Sequence, residues 1–132
     1  MKRIETFEEF WPFYVMEHKK PETRRYHFAG TTVVIGLLAS AVVFRKAWPV
    51  ALAPLAGYGP AWFSHFFIEK NKPASFKYPL YSLAADFVMW SKIARGTMDA
   101  EVERIEKAQA EAQAATNEPA AEVANDPASV LN

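Results

Sequence analysis

The three histidines of the chain stand in two short polar motifs, and no histidine lies elsewhere. His18 and His27 belong to the run His18-Lys19-Lys20-Pro21-Glu22-Thr23-Arg24-Arg25-Tyr26-His27. His65 belongs to Ser64-His65-Phe66-Phe67-Ile68-Glu69-Lys70-Asn71. With no cysteine in the chain, a bound metal must use imidazole, carboxylate and water, the ligand set of borderline and hard ions. His65 and Glu69 are four residues apart and share one face of a predicted helix. If the chain folds back on itself, His18, His27, His65 and Glu69 converge at one end of a bundle. Two or three histidines with a carboxylate and open positions suit non-haem Fe(II) and O2 chemistry. Arg24 is the basic residue best suited to clamp a carboxylate or phosphate, because a guanidinium binds such groups in a fork.

Spacing alone leaves a second reading open. A histidine at an amphipathic boundary is often a hydrogen-bonded structural residue, and Glu69 can simply pair with Arg24 or Lys70. Other chemistries lack their motifs. There is no Gly-rich phosphate loop, no His-Glu-x-x-His and no nucleophile elbow, and Ser64 cannot share a helix face with the adjacent His65.

The elements that must position these residues are read from apolar spacing. Thr6 with Glu9 has the form of a capping box, and Phe7, Phe10, Trp11, Tyr14 and Val15 recur at helical spacing. This predicts an amphipathic aromatic helix over 6–18, stopped by Pro21. A second helix starts near Pro21–Thr23, since proline is tolerated in a first turn; the turn brings His18 and His27 together. No Asp, Glu, Lys or Arg occurs from Tyr26 to Phe44 or from Ala47 to Ile68. Spanning a bilayer takes roughly 20 apolar residues. The first run is adequate; the second is interrupted by Pro49, Pro54, Gly57, Gly59 and Pro60, which predicts two short helices or one kinked one. The pattern predicts an all-α integral membrane bundle, with two hydrophobic helices and two aromatic amphipathic ones. Two buried helices of a soluble four-helix domain are the alternative.

Pro79–Arg95 is the second aromatic helix, with Leu80, Leu83, Phe87, Trp90 and Ile93, and Gly96 stops it. Residues 97–115 are Ala-, Glu- and Gln-rich and read as a solvated or transient helix; residues 116–132 read as a disordered tail. Residues 1–96 are then the folded membrane unit. The N-terminus has no apolar core of the kind that makes a signal peptide. Lys2, Arg3, Lys19, Lys20, Arg24 and Arg25 precede the first run, only Arg45 and Lys46 separate the runs, and five basic residues lie from Lys70 to Arg95. The positive-inside rule places both termini in the cytoplasm, at the inner membrane of a bacterium or the endoplasmic reticulum of a eukaryote. A formal net charge of zero gives no global field for nucleic acid.

At the two histidine motifs the chain resembles a family of small membrane proteins typified by the fungal 2-hydroxy fatty acid dioxygenase of phytosphingosine degradation. The likeness runs over about residues 6–96. It is carried by His18-x-x-Pro21-x-Thr23-Arg24-x-x-His27-x-x-Gly30, then Gly57-Tyr58-Gly59, then Ala61-Trp62-Phe63-Ser64-His65, then Glu69-Lys70-Asn71-Lys72-Pro73-Ala74. It continues through Phe76–Leu83 and Asp86-Phe87. Thr23 stands where the family commonly has Asn, and Ser64 where it has Gly. The resemblance implies an Fe(II)-dependent dioxygenase that shortens a 2-hydroxy long-chain fatty acid or acyl derivative by one carbon with O2. It also implies that His18, His27 and His65 are required, most simply as iron ligands. The residues themselves, and not the resemblance, suggest that Arg24 holds the substrate carboxylate, that Glu69 is a ligand or an outer partner at the metal, and that the apolar hairpin, set among membrane lipid, receives the acyl chain. A non-enzymatic membrane adaptor with structural histidines is the competing function.

Overall fold

The structure, a computed structural model, describes residues 3–124. Among the described residues there are five α-helices and no strand: α1 (Phe7–Met16), α2 (Pro21–Phe44), α3 (Trp48–Ser64), α4 (Pro79–Ala94) and α5 (Met98–Ala124). A π-helical turn over His65–Glu69 prolongs α3, and a 3-10 turn over Ala74–Phe76 precedes α4.

Helix α1 begins as its capping residues dictate. The Thr6 hydroxyl accepts from the Glu9 amide at 3.2 Å, and the Glu9 carboxylate reaches back to the Glu5 amide at 3.1 Å. Phe10, Trp11, Tyr14 and Val15 are all buried. They form a core with Ala85 and Met89 of α4 and with Met98, Val102 and Ile105 of α5. Several aromatic rings meet there, including Phe10 against Tyr78 and Tyr81.

The outcome for α5 differs from the sequence-based expectation. Met98, Val102 and Ile105 recur at helical spacing and dock into the core, so the first turns of α5 are part of the folded unit. The Trp11 indole donates to the Glu101 carboxylate at 2.7 Å, and the Arg104 guanidinium grips both Glu101 oxygens. Hydrogen bonds from Arg104 foremost and from Trp11, with the Lys92 charge and against a counteracting effect of burial, hold the Glu101 carboxyl down from 4.5 to about 2. The helix also runs beyond Ala115 to Ala124, in keeping with the helix propensity of its alanines and glutamates. The remainder of the predicted tail, residues 125–132, lies outside the described residues.

Helices α2 and α3 form an antiparallel hairpin whose backbones approach closely at Gly30. A Cβ on Gly30 would sit 3.0 Å from the Ala56 carbonyl oxygen and 3.3 Å from that of Gly57. Only a residue without a side chain permits that approach. The second uncharged run is a single helix through Pro54 and Pro60 and then the π turn. Of the two spans expected, only α2 is long and apolar enough to cross a membrane, by length and composition. The run that yields α3 loses its last residues to the π turn and leaves a helix of 17 residues.

Candidate metal centre

The three histidines arrive from three different local structures. His18 follows the last turn of α1, His27 lies one turn and a half into α2, and His65 opens the π turn after α3. All three are buried. The Nε2 atom of His27 lies 3.2 Å from Nε2 of His18 and 3.2 Å from Nε2 of His65. One ligand nitrogen from each lies within 4.8 Å of the others. With metal–nitrogen bonds of about 2.1 Å, neighbouring ligand nitrogens of a tetrahedral or octahedral ion sit roughly 3.0–3.4 Å apart.

What faces the other ring nitrogens decides the protonation of the cluster. His18 Nδ1 lies 2.6 Å from the Tyr14 carbonyl oxygen, which only accepts, so this nitrogen carries the proton. His27 Nδ1 donates to the Asp86 carboxylate at 2.9 Å, and the same oxygen accepts from the Tyr14 hydroxyl. His65 Nδ1 lies 2.7 Å from Asn71 Oδ1. The Asn71 amide nitrogen donates to the Glu17 carbonyl at 3.1 Å and to the Glu17 carboxylate at 2.9 Å, which leaves Oδ1 as acceptor. Each imidazole therefore points a bare Nε2 lone pair at the other two, an arrangement that repels unless a cation sits between them. A proton on His18 is a poor occupant. Burial first, then the neighbouring imidazoles of His27 and His65, pushes His18 well below its ordinary value. Fixing Nδ1–H so that Nε2 is free is how proteins prepare histidine for a metal.

The partners behind the ligands are themselves constrained. Tyr14 stacks on His18 with ring centroids 4.1 Å apart. Burial first, then Asp86, raises the phenol well above its ordinary value, so it stays a donor to Asp86. A small cavity opens over the histidines, lined also by Tyr58, Trp62, Ser82 and Asp86. The Ser82 hydroxyl is buried there without a protein partner.

Arg24 and Glu69 are placed behind the cluster, and neither lines that cavity. The buried Arg24 guanidinium donates to the His18 carbonyl at 2.9 Å, to the Lys19 carbonyl, and to the Asp99 carboxylate at 2.6 Å. It fastens the turn that carries His18 and ties it to the start of α5. The Glu69 carboxylate accepts from the Lys20 amide at 2.7 Å. It thus sits at the N-terminus of α2, where a negative charge is favoured. His18, His27 and His65 are brought together as expected; Glu69 is outside their group.

Asp86, Asn71 and Tyr14 were not singled out from the sequence for a role at the site. One signal did point to Asp86: it is the sole charged residue from Tyr78 to Ser91, and a lone carboxylate on an apolar helix needs a partner. Asn71 and Tyr14 carry no comparable signal, because an Asn after a helix and a Tyr on an aromatic stripe are ordinary.

A family model described as 2-hydroxy-palmitic acid dioxygenase Mpo1-like matches residues 4–98, the stretch that contains every residue of the cluster and its partners. No curated protein and no solved structure matches the chain significantly. A histidine trio set up to receive a cation, inside a match that covers most of the described residues, gives the affiliation both a sequence and a structural basis: the chain belongs to the 2-hydroxy-palmitic acid dioxygenase Mpo1-like family.

Proposed function

We propose that the protein is a non-haem Fe(II) dioxygenase that removes one carbon from a 2-hydroxy long-chain fatty acid or acyl derivative. The observation that carries this is the set of three bare Nε2 atoms on His18, His27 and His65, each fixed from behind, in a member of this family. The overall conversion balances without a further reductant. A 2-hydroxy acid that becomes the acid one carbon shorter, with release of CO2 and water, gives up the electrons that one O2 takes up.

An iron bound by the three imidazoles supplies a Lewis acid with open positions and the redox capacity that O2 chemistry requires. The protein's own residues do the rest. Asp86 keeps His27 in its Nδ1–H form, Asn71 does so for His65, and the Tyr14 carbonyl does so for His18. The Ser82 hydroxyl, buried beside the cluster, donates to an oxygen of the substrate head. Arg24 holds the His18 backbone in place. Glu69 contributes by securing the start of α2, which carries His27.

We place the protein in a membrane, with α2 and α3 as the embedded hairpin and both termini on the cytoplasmic side. The length of α2 and the distribution of basic residues support this. The test is anaerobic purification with Fe(II), metal analysis, and incubation with 2-hydroxy fatty acids and O2, followed by lipid mass spectrometry. The expected result is one iron per chain and the acid one carbon shorter. Absence of that product from iron-loaded protein overturns the reading.

A further inference from the structure

A groove of about 340 Å³ runs between α2, α3 and α4, and His27 and Asp86 form part of its wall. Its lining changes character from one end to the other. Thr31 and Tyr58 lie at the His27 end, one turn along α2 and opposite it on α3; beyond them the walls are Val34 and Leu38 on α2 and Ala53 and Pro54 on α3, while Leu83 and Phe87 flank Asp86 on α4. Tyr58, His27 and Asp86 also line the small cavity over the histidines, so the two spaces share a wall. From His27 to Leu38 along α2 the groove measures about 16 Å at 1.5 Å per residue. Its volume is that of a small-molecule site, in which apolar walls hold a ligand and a few polar groups orient it.

We propose that this groove binds the alkyl chain of the substrate, with the chain's polar head at the His27–Asp86 end, and that Leu38 and Ala53 limit the chain length accepted. The assignment rests on the dioxygenase reading for the identity of the head group, and on the shared wall and the gradient of polarity for the chain. A chain with a 2-hydroxycarboxylate at one end has the same gradient as the groove. The outer face of the hairpin, at Val42, Val43 and Leu55, is also apolar and exposed, but none of these residues lines the groove or the cavity over the histidines.

Two measurements test it. In the first, the ratio of turnover on long to short 2-hydroxy acids is compared between wild type, Ala53→Phe, which fills the groove, and Leu38→Phe, at a half-exposed wall position that accepts bulk more easily. The ratio is expected to fall at least tenfold in Ala53→Phe and in the same direction in Leu38→Phe, with iron content equal to wild type. In the second, a 2-hydroxy acid bearing a diazirine near its methyl end is photo-crosslinked to the metal-free protein in detergent, and the adducts are mapped by mass spectrometry. Adducts at Val34, Leu38, Val50 or Ala53 support the groove; adducts spread over Val42, Val43 and Leu55, as for a boundary lipid, overturn it. If wild type turns over 2-hydroxy acids but both variants keep its chain-length profile, the groove is wrong and the dioxygenase reading stands. If wild type oxidises none of them while adducts map to the groove, the dioxygenase reading fails and the groove stands.

Discussion

The base of the molecule and the tip of its hairpin use the same kinds of residue to opposite ends. In the base, Phe10 and Val15 are fully buried and Met89 nearly so, rings pack on rings, and polar groups such as His18, Thr23 and Arg24 are enclosed with them. At the tip, Val42 is 78% and Phe44 69% exposed. An exposed apolar face of this kind marks a surface that a membrane or a partner covers. The base behaves as a closed core that encloses the histidine cluster; the tip leaves comparable apolar side chains uncovered. Apolar content by itself therefore says nothing about which environment a helix occupies. Exposure within the fold makes the distinction.

The sharpest way to break this comparison is at the histidines. His18→Ala, His27→Ala and His65→Ala are each expected to remove the metal almost completely, while the protein still partitions into the membrane pellet, because the proposed insertion rests on the hairpin and not on the cluster. Retention of full metal content in His18→Ala combined with His65→Ala would show that the cluster is not one site. The next largest effect is on stability. Phe10→Ala is expected to cost about 3–5 kcal/mol in detergent, against less than about 0.5 kcal/mol for Val42→Ala, as read by denaturation. Equal costs would mean that the tip is packed in solution and the contrast is false. Asp86→Asn keeps the shape but removes the charge behind His27. It is expected to lower metal affinity about 10–100-fold, measured by competition with a chelator, and to leave the membrane partition unchanged.

The smallest expected effect is on acid stability. Glu101 is held at about 2 in the fold, below its unfolded value, so its contribution is fully present above the ordinary carboxylate range. That contribution is lost as pH falls from about 4.5 towards 2. Glu101→Gln should flatten the loss of stability over that window without altering stability differences among tip variants. An unchanged acid profile would mean that the link between α1 and α5 contributes nothing.

The helices were legible in the sequence because their signals are local: a cap at Thr6, a stop at Pro21, a stripe of aromatics at helical spacing. The histidines were legible as a set because a turn at Pro21 and a fold-back of two apolar runs leave few places for them to meet. What escaped was whatever depends on contacts distant in sequence. Asp86 meets His27 across 59 positions and Glu69 meets Lys20 across 49, and no periodicity encodes such pairs. The docking of α5 escaped for another reason. Three apolar residues, Met98, Val102 and Ile105, are too few to stand out in a charged helix, although they suffice once α1 and α4 provide a surface for them.

The π turn over His65–Glu69 joins the base to the hairpin by counting residues. Its wide winding, followed by Lys70 in the left-handed region at φ 61°, lets Asn71 return to His65 twice. The Asn71 amide donates to the His65 carbonyl at 3.0 Å, and its side chain receives the imidazole proton. Phe66 and Phe67 between them face outward, 47% and 68% exposed, and no contact to the histidines depends on their identity. The geometry of the turn thus tolerates other apolar side chains here but not the loss of either residue, since one fewer would rewind the segment into an α-helix and carry Asn71 about 100° around the axis, away from the ring it orients. Within this stretch an alignment gap would be a more severe lesion than any single exchange at Phe66 or Phe67.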